Sequence, residues 1–159
     1  MRPHIEYAVS SWCPYFKKDI LELEKVQRRA TKLVPSLHNL SYSDRLYELG
    51  LTDLKTRRIR GDLIQMYKIV NNLETVNLRN GLKLNSSEPR NYFLRRNSKN
   101  LHRERLSKCL PRYNFLTNRI VNDWNKLPED IIQANSLNSF KSKLDKWNKN
   151  MFETTAIAQ

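Results

Sequence analysis

The stretch LELEKVQRRATKL, residues 21–33, decides how the chain is read. Set on a helix, Leu23, Val26, Ala30 and Leu33 recur at offsets 0, 3, 7 and 10 and form one stripe, which is the expected buried side. Lys25, Arg28, Arg29 and Lys32 recur at offsets 0, 3, 4 and 7, so the same turns place four cations on a second stripe with no acid among them. Like charges at that spacing repel. A polyanion lying along the stripe relieves the repulsion, which makes nucleic acid the first partner to consider, against the alternative of a plain solvated face.

Composition tips the balance. Against 16 Asp and Glu stand 29 Lys and Arg in 159 residues, a net charge of +13, which favours an anionic partner. Hydrophobic content of 39%, with three Trp and seven Tyr, is too high for a disordered basic tail, so a folded module of one domain is expected. The apolar runs are only a few residues long, too short for a membrane-crossing helix, and the first residues lack the pattern of a signal peptide. An intracellular location, nucleus or cytoplasm, follows as an expectation. Cys13 and Cys109 are expected as free thiols, and with His4, His38 and His102 scattered no metal set is expected.

Outward from this stretch, Ile5, Ala8, Val9 and Trp12 suit a helical face that Pro14 breaks, with the start of a larger element expected to be missing before it. Asp19 is the expected cap of the basic helix, which Pro35 stops after Val34. Ser41 is placed to cap a short helix with Tyr42, Leu46 and Leu49 on one face. Gly50 fits its left-handed close and Leu51 the apolar contact after it. Thr52 is the expected cap of the longest helix, running to about Leu73, with Ile59, Leu63, Met66, Tyr67 and Val70 facing the core. Lys55, Arg57, Arg58 and Arg60 crowd its first turns, where the macrodipole favours acids, and phosphate contact is the reading given to Arg57, Arg58 and Arg60. Gly61 implies a close crossing, a kink, or a tolerated defect.

Between 79 and 112 ten cations, Arg95 and Arg96 among them, face only Glu88 and Glu104, and this span carries eight of the thirteen net positive charges. It reads as a basic loop or short β insert, with Tyr92 to Leu94 and Leu101 to Leu110 as candidate strands, and Tyr92, Phe93 and Tyr113 as stacking faces or loop anchors. Helix returns with Phe115, Leu116, Ile120, Val121, Trp124 and Leu127 on one stripe, ended by Pro128, and a short turn of helix follows over 129–134. Ser136 then caps a segment in which Leu137, Phe140, Leu144, Trp147 and Met151 line up, and 153–159 is expected to fray. Trp124 and Trp147 are both expected to be buried.

No enzyme constellation is present. The chain has no adjacent Asp-Asp pair to gather divalent ions and no glycine-rich phosphate loop, since Gly50, Gly61 and Gly81 stand far apart. Asp62 beside Arg60, and Asp123 near Arg119, read as ion-pair partners.

RPHIEYAVSSWCPY, LEKVQRRATKLV, SYSDRLYELGL, RRIRGDLIQMYKIVNN, RIVNDWNKLPEDI and SLNSFKSKLDKW follow one another along nearly the whole chain. Together they resemble the C-terminal part of jockey-like non-LTR retrotransposon reverse transcriptases. The resemblance implies a thumb-side and C-terminal region beyond the polymerase palm, with the family's catalytic aspartates upstream and without counterpart here. One departure is Phe115-Leu116, where the family often carries two aromatics. The fold implied by the residues is mostly α: a thumb-like basic helical region over 1–75, a basic irregular or short-β insert over 76–112, C-terminal helices over 113–152 and a tail. The expected function is to hold template RNA or an RNA-DNA primer-template duplex through phosphates, with no catalytic residue, metal or cofactor. Lys25, Arg28, Arg29, Lys32, Arg57, Arg58, Arg60, Arg95 and Arg96 are the candidate contacts, and the polymerase domain of the parent protein is a possible further partner. The first two basic groups are expected to form one continuous surface. The alternatives are a structural or protein-interaction module, and a decayed transposon fragment without selected function.

Overall fold

The computed structural model describes residues 5–76, 78, 82, 84, 99–104 and 109–157, of which 151–157 are given by backbone alone. The described chain is helical, in the order α1 (Lys17–Lys32), a 3₁₀ turn (Pro35–Leu37), α2 (Tyr42–Glu48), α3 (Leu54–Val70), α4 (Leu110–Tyr113), α5 (Leu116–Arg119), α6 (Val121–Asn125), α7 (Glu129–Ile132) and α8 (Leu137–Ile157). Among the described residues the only β pairing is an isolated antiparallel bridge between Leu84 and Leu101; residues 102–104 are in no strand, and 105–108 of the expected Leu101 to Leu110 strand lie outside the described residues. Tyr92 to Leu94, with Arg95 and Arg96, lie outside the described residues.

Local chemistry sets most boundaries. Ser41 caps α2, its Oγ accepting the Asp44 N–H at 3.2 Å. Gly50 closes it at φ +58°, the Gly50 N–H reaching the Tyr47 carbonyl and the Leu51 N–H the Leu46 carbonyl. Those two bonds are the paired signature of a left-handed helix stop. Two expected caps move. Asp53, not Thr52, caps α3, accepting the Thr56 N–H at 3.0 Å, and α1 opens at Phe16 without a side-chain cap, with Asp19 inside its first turn. α1 ends at Lys32 and α3 at Val70, both short of expectation, because Pro35 begins a 3₁₀ turn and Asn72 turns left-handed at φ +55°. At the N-terminal end Ile5 and Glu6 are helical, but Ala8 adopts φ +48° and a turn replaces the expected helical face. Val9 is buried there while Trp12 stays partly exposed.

The core forms where the sequence stripes meet. Leu63, Met66 and Tyr67 of α3 pack with Leu116, Ile120, Val121, Trp124 and Leu127, with Ile131 and Ile132 of α7, and with Phe140 and Leu144 of α8. Tyr67 stacks on Phe140 with centroids 4.2 Å apart, and its hydroxyl donates to the Ala134 carbonyl at 2.5 Å. Each such buried side chain contributes on the order of 1.5–3 kcal/mol. Ile59, Val70, Leu137 and Trp147 are only partly buried at its edge, so Trp147 is less enclosed than its stripe implies, and Phe115 is exposed. Gly61 sits in unbroken helix with nothing within 4 Å of where a Cβ would stand. It is a tolerated defect, unfavourable by roughly 1 kcal/mol relative to Ala.

Ser136 caps α8, accepting the Ser139 N–H at 3.1 Å. No Pro or Gly follows Ser136, so helix continues to Ile157, and residues 153–157 are helical rather than frayed. Both cysteines are free thiols. No described helix is long and apolar enough to cross a membrane.

Candidate nucleic-acid interface

α1 turns toward the domain by a face its apolar pattern does not mark. Glu24, Gln27 and Thr31 are its buried residues, whereas Leu23, Val26 and Ala30 are half-buried and Leu33 is 79% exposed. The expected Leu23-Val26-Ala30-Leu33 stripe is therefore not the buried side. The three polar residues sit at offsets 0, 3 and 7, a helical stripe in its own right, and they are buried because each is bonded. The Glu24 carboxylate accepts the Tyr42 hydroxyl through Oε1 and the Leu54 N–H through Oε2 at 3.1 Å. It thus places a negative charge on the first N–H groups of α3, where a helix has unsatisfied donors and a positive dipole end. Gln27 Nε2 donates to the Tyr42 hydroxyl at 3.2 Å and to the Thr52 carbonyl at 3.0 Å. Thr31 Oγ1 accepts from Nε of the buried Arg45 at 3.1 Å. Burial first, and then the bond to Glu24, push the Tyr42 hydroxyl well above its usual range.

With that face inward, Lys25, Arg28, Arg29 and Lys32 are all exposed. Lys25 meets Glu22 at 2.5 Å, an exposed i,i+3 pair of little net worth. Arg28, exposed, lies over the Tyr42 ring at 4.5 Å from the centroid, a cation-π contact. Arg29 and Lys32 occupy the last turn of α1, where cations complement the helix dipole, so helix energetics does give these two a local reason.

The second basic cluster is engaged within the fold. Arg57 pairs with Glu6, Nη2 to Oε2 at 2.7 Å, and Arg60 grips Asp145 at 2.6 and 2.8 Å. Those hydrogen bonds hold the Arg60 guanidinium more firmly protonated than usual. Arg58 is buried. Acids distant along the chain thus engage Arg57 and Arg60, and packing buries Arg58, so Arg58 does not stand on the continuous surface expected from the sequence.

Both acids are paired as expected, but Asp62 with Arg119 rather than its neighbour Arg60, and Asp123 with Lys126 rather than Arg119. Asp62 takes Arg119 through both carboxylate oxygens at 2.8 Å, and Asp123 reaches Lys126 at 3.8 Å. Burial outweighs the Arg119 contact and raises the Asp62 carboxyl above its ordinary value. Tyr113 is partly exposed, with Arg103 over its ring at 5.3 Å. Among the described residues no three His, Cys, Asp or Glu side chains gather as a metal site. Sequence reasoning missed the Glu24-Gln27-Thr31 joint and the Arg119 hub, and only the helical spacing of the three polar residues signals the first. No family model matches the chain, and no curated protein or solved structure matches it.

Proposed function

We propose that the chain is the thumb-side and C-terminal part of a jockey-like non-LTR reverse transcriptase and holds nucleic acid, template RNA or an RNA-DNA primer-template, through phosphates along the outer face of α1. The observation that carries the reading is the exposed set Lys25, Arg28, Arg29 and Lys32 on one helix of a chain with net charge +13. Phosphate contacts of this kind position a strand and read no bases, so little sequence preference is expected. The order of the six sequence blocks supports the family, and the lack of adjacent aspartates supports a role in holding substrate rather than in polymerisation.

The test is the salt dependence of RNA binding. Each cation that neutralises a phosphate of single-stranded RNA contributes a slope of roughly −0.7 in log affinity against log salt. Arg28→Gln with Arg29→Gln is expected to weaken binding to every sequence tried and to flatten the slope by about 1.4. Circular dichroism checks that helix content is kept. An unchanged slope makes the stripe a solvated face.

A protein-interaction role has its own supporting observation. A groove of about 180 Å³, almost wholly apolar, runs beside α1 between Ile5, Val26, Ala30, Val34, Leu49 and Leu51. Binding through that groove would be insensitive to the double variant and only weakly dependent on salt.

A further inference from the structure

Arg58 is 3% exposed, yet its Nε and Nη2 have no hydrogen-bond partner. A buried guanidinium left unpaired is costly, and such a group calls for an explanation. The nearby Asp62 does not supply one: its carboxylate is bonded by Arg119, and no bond runs from Arg58 Nε or Nη2 to it. Arg58 instead lines a cavity of about 150 Å³ together with Lys55, Arg119, Cys13, Asp62 and Asp123. Three cations face two carboxylates there, an excess of one positive charge. The Cys13 thiol is pushed up by burial and stays neutral.

A second cavity of about 330 Å³ shares Cys13 and Arg119 with the first, and its walls carry Trp12, Tyr15 and Phe115. These rings are 40%, 39% and 40% exposed. The Trp12 indole is pinned, its N–H donating to the Tyr7 carbonyl at 2.7 Å. Cationic seat and aromatic walls thus adjoin, on elements separate from the outer face of α1.

We infer that the two cavities form a nucleotide seat for single-stranded nucleic acid, in which Arg58 takes one phosphodiester and the aromatic walls take the adjoining base. A planar guanidinium with two unpaired donors, both closed to solvent in the free protein, matches two phosphate oxygens once the side chain turns into the cavity, and a phosphodiester carries the single negative charge that the first cavity lacks. Exposed rings beside a phosphate site give bases a stacking surface whatever their identity. An acidic peptide would satisfy the guanidinium but leave the three rings unused. The inference deepens the nucleic-acid reading while using none of the α1 cations.

The dinucleoside monophosphate UpU is the probe, because its single phosphodiester can fill only one cationic seat. Titrated at low salt, it is expected to quench tryptophan emission saturably, and Trp12→Phe is expected to remove the quench. Arg58→Met is expected to weaken UpU roughly tenfold or more while leaving the thermal midpoint equal or higher, since it removes an unpaired buried charge. Trp12→Ala, at a part-exposed ring, is expected to weaken UpU by about tenfold in calorimetry and serves even if the Arg58 variant fails to fold. Equal UpU binding in the parent and either variant overturns the seat. So does a hexaglutamate peptide that displaces UpU at equal concentration. The Arg28→Gln, Arg29→Gln protein separates the two readings: if its RNA salt slope is unchanged while UpU still binds, the α1 surface fails and the seat stands.

Discussion

Trp124→Ala is expected to cost about 3–5 kcal/mol, read as a fall in the urea midpoint with little change in slope. The side chain is wholly buried among α3, α7 and α8 residues, with the Phe140 ring 6.3 Å from its own. Its indole N–H also donates to the Lys99 carbonyl at 2.9 Å, so the substitution opens a cavity and strips a carbonyl of its donor together. A loss of that size is a large share of the 5–15 kcal/mol typical of a domain. Melts that overlay the parent would mean that the contact between α6 and α8 is not central to stability.

Arg119→Ala is expected to cost a similar amount, about 3–5 kcal/mol, by a different route. Arg119 donates to Asp62 and also to the carbonyls of Val9, Ser10 and Asn114, tying the N-terminal turn and the α4–α5 junction to α3. Removing it leaves the Asp62 carboxylate buried and uncompensated. Burial already raises the folded-state pKa of Asp62, and without Arg119 it rises further. The folded form then binds the proton more tightly than the unfolded chain. Stability from this group is fullest below the unfolded carboxyl value of about 3.9 and is lost as pH rises through the higher folded value. The deficit of the variant should therefore shrink as urea melts are taken from about pH 7 toward pH 4. Adding Asp62→Asn should recover part of it at neutral pH. A deficit independent of pH would assign the loss to the three carbonyls instead.

The apolar core of α3 and the C-terminal helices, and the bounds of α2, were legible because their signals are local, whereas the apolar stripe of α1 misled. Ser41 and Gly50 announce the ends of α2, and the period of Leu63, Met66 and Tyr67, or of Ile120, Trp124 and Leu127, points each helix at the core. The polar architecture was not. Arg57 meets Glu6, Arg119 meets Asp62 and Arg60 meets Asp145 across sequence separations of 51, 57 and 85 residues, which no periodicity reveals. A pattern that sorts residues by hydropathy also assigns Glu24, Gln27 and Thr31 to water. They are buried because a carboxylate, an amide and a hydroxyl found partners on α2, α3 and the link between them. Of the candidate contacts, the α1 four are exposed as their stripe implies, while Arg57, Arg58 and Arg60 were sorted apart by those distant acids and by packing.

The polar joint also divides the molecule by strength. No buried member of the apolar cluster comes from α1 or α2, so among the described residues these helices are moored mainly by hydrogen bonds and one carboxylate. Bonds of that kind are exchanged with water at little net gain, whereas the α3–α8 core must expose hydrocarbon to open. The pair α1–α2 is therefore expected to open as a separate unit, and its amides should exchange with deuterium well before those of α3 and α8. Uniform protection across all four would contradict this. On that expectation the helix that presents the cations would swing on its berth while the core stays shut, and a bound strand would act on the molecule as ballast does, steadying it.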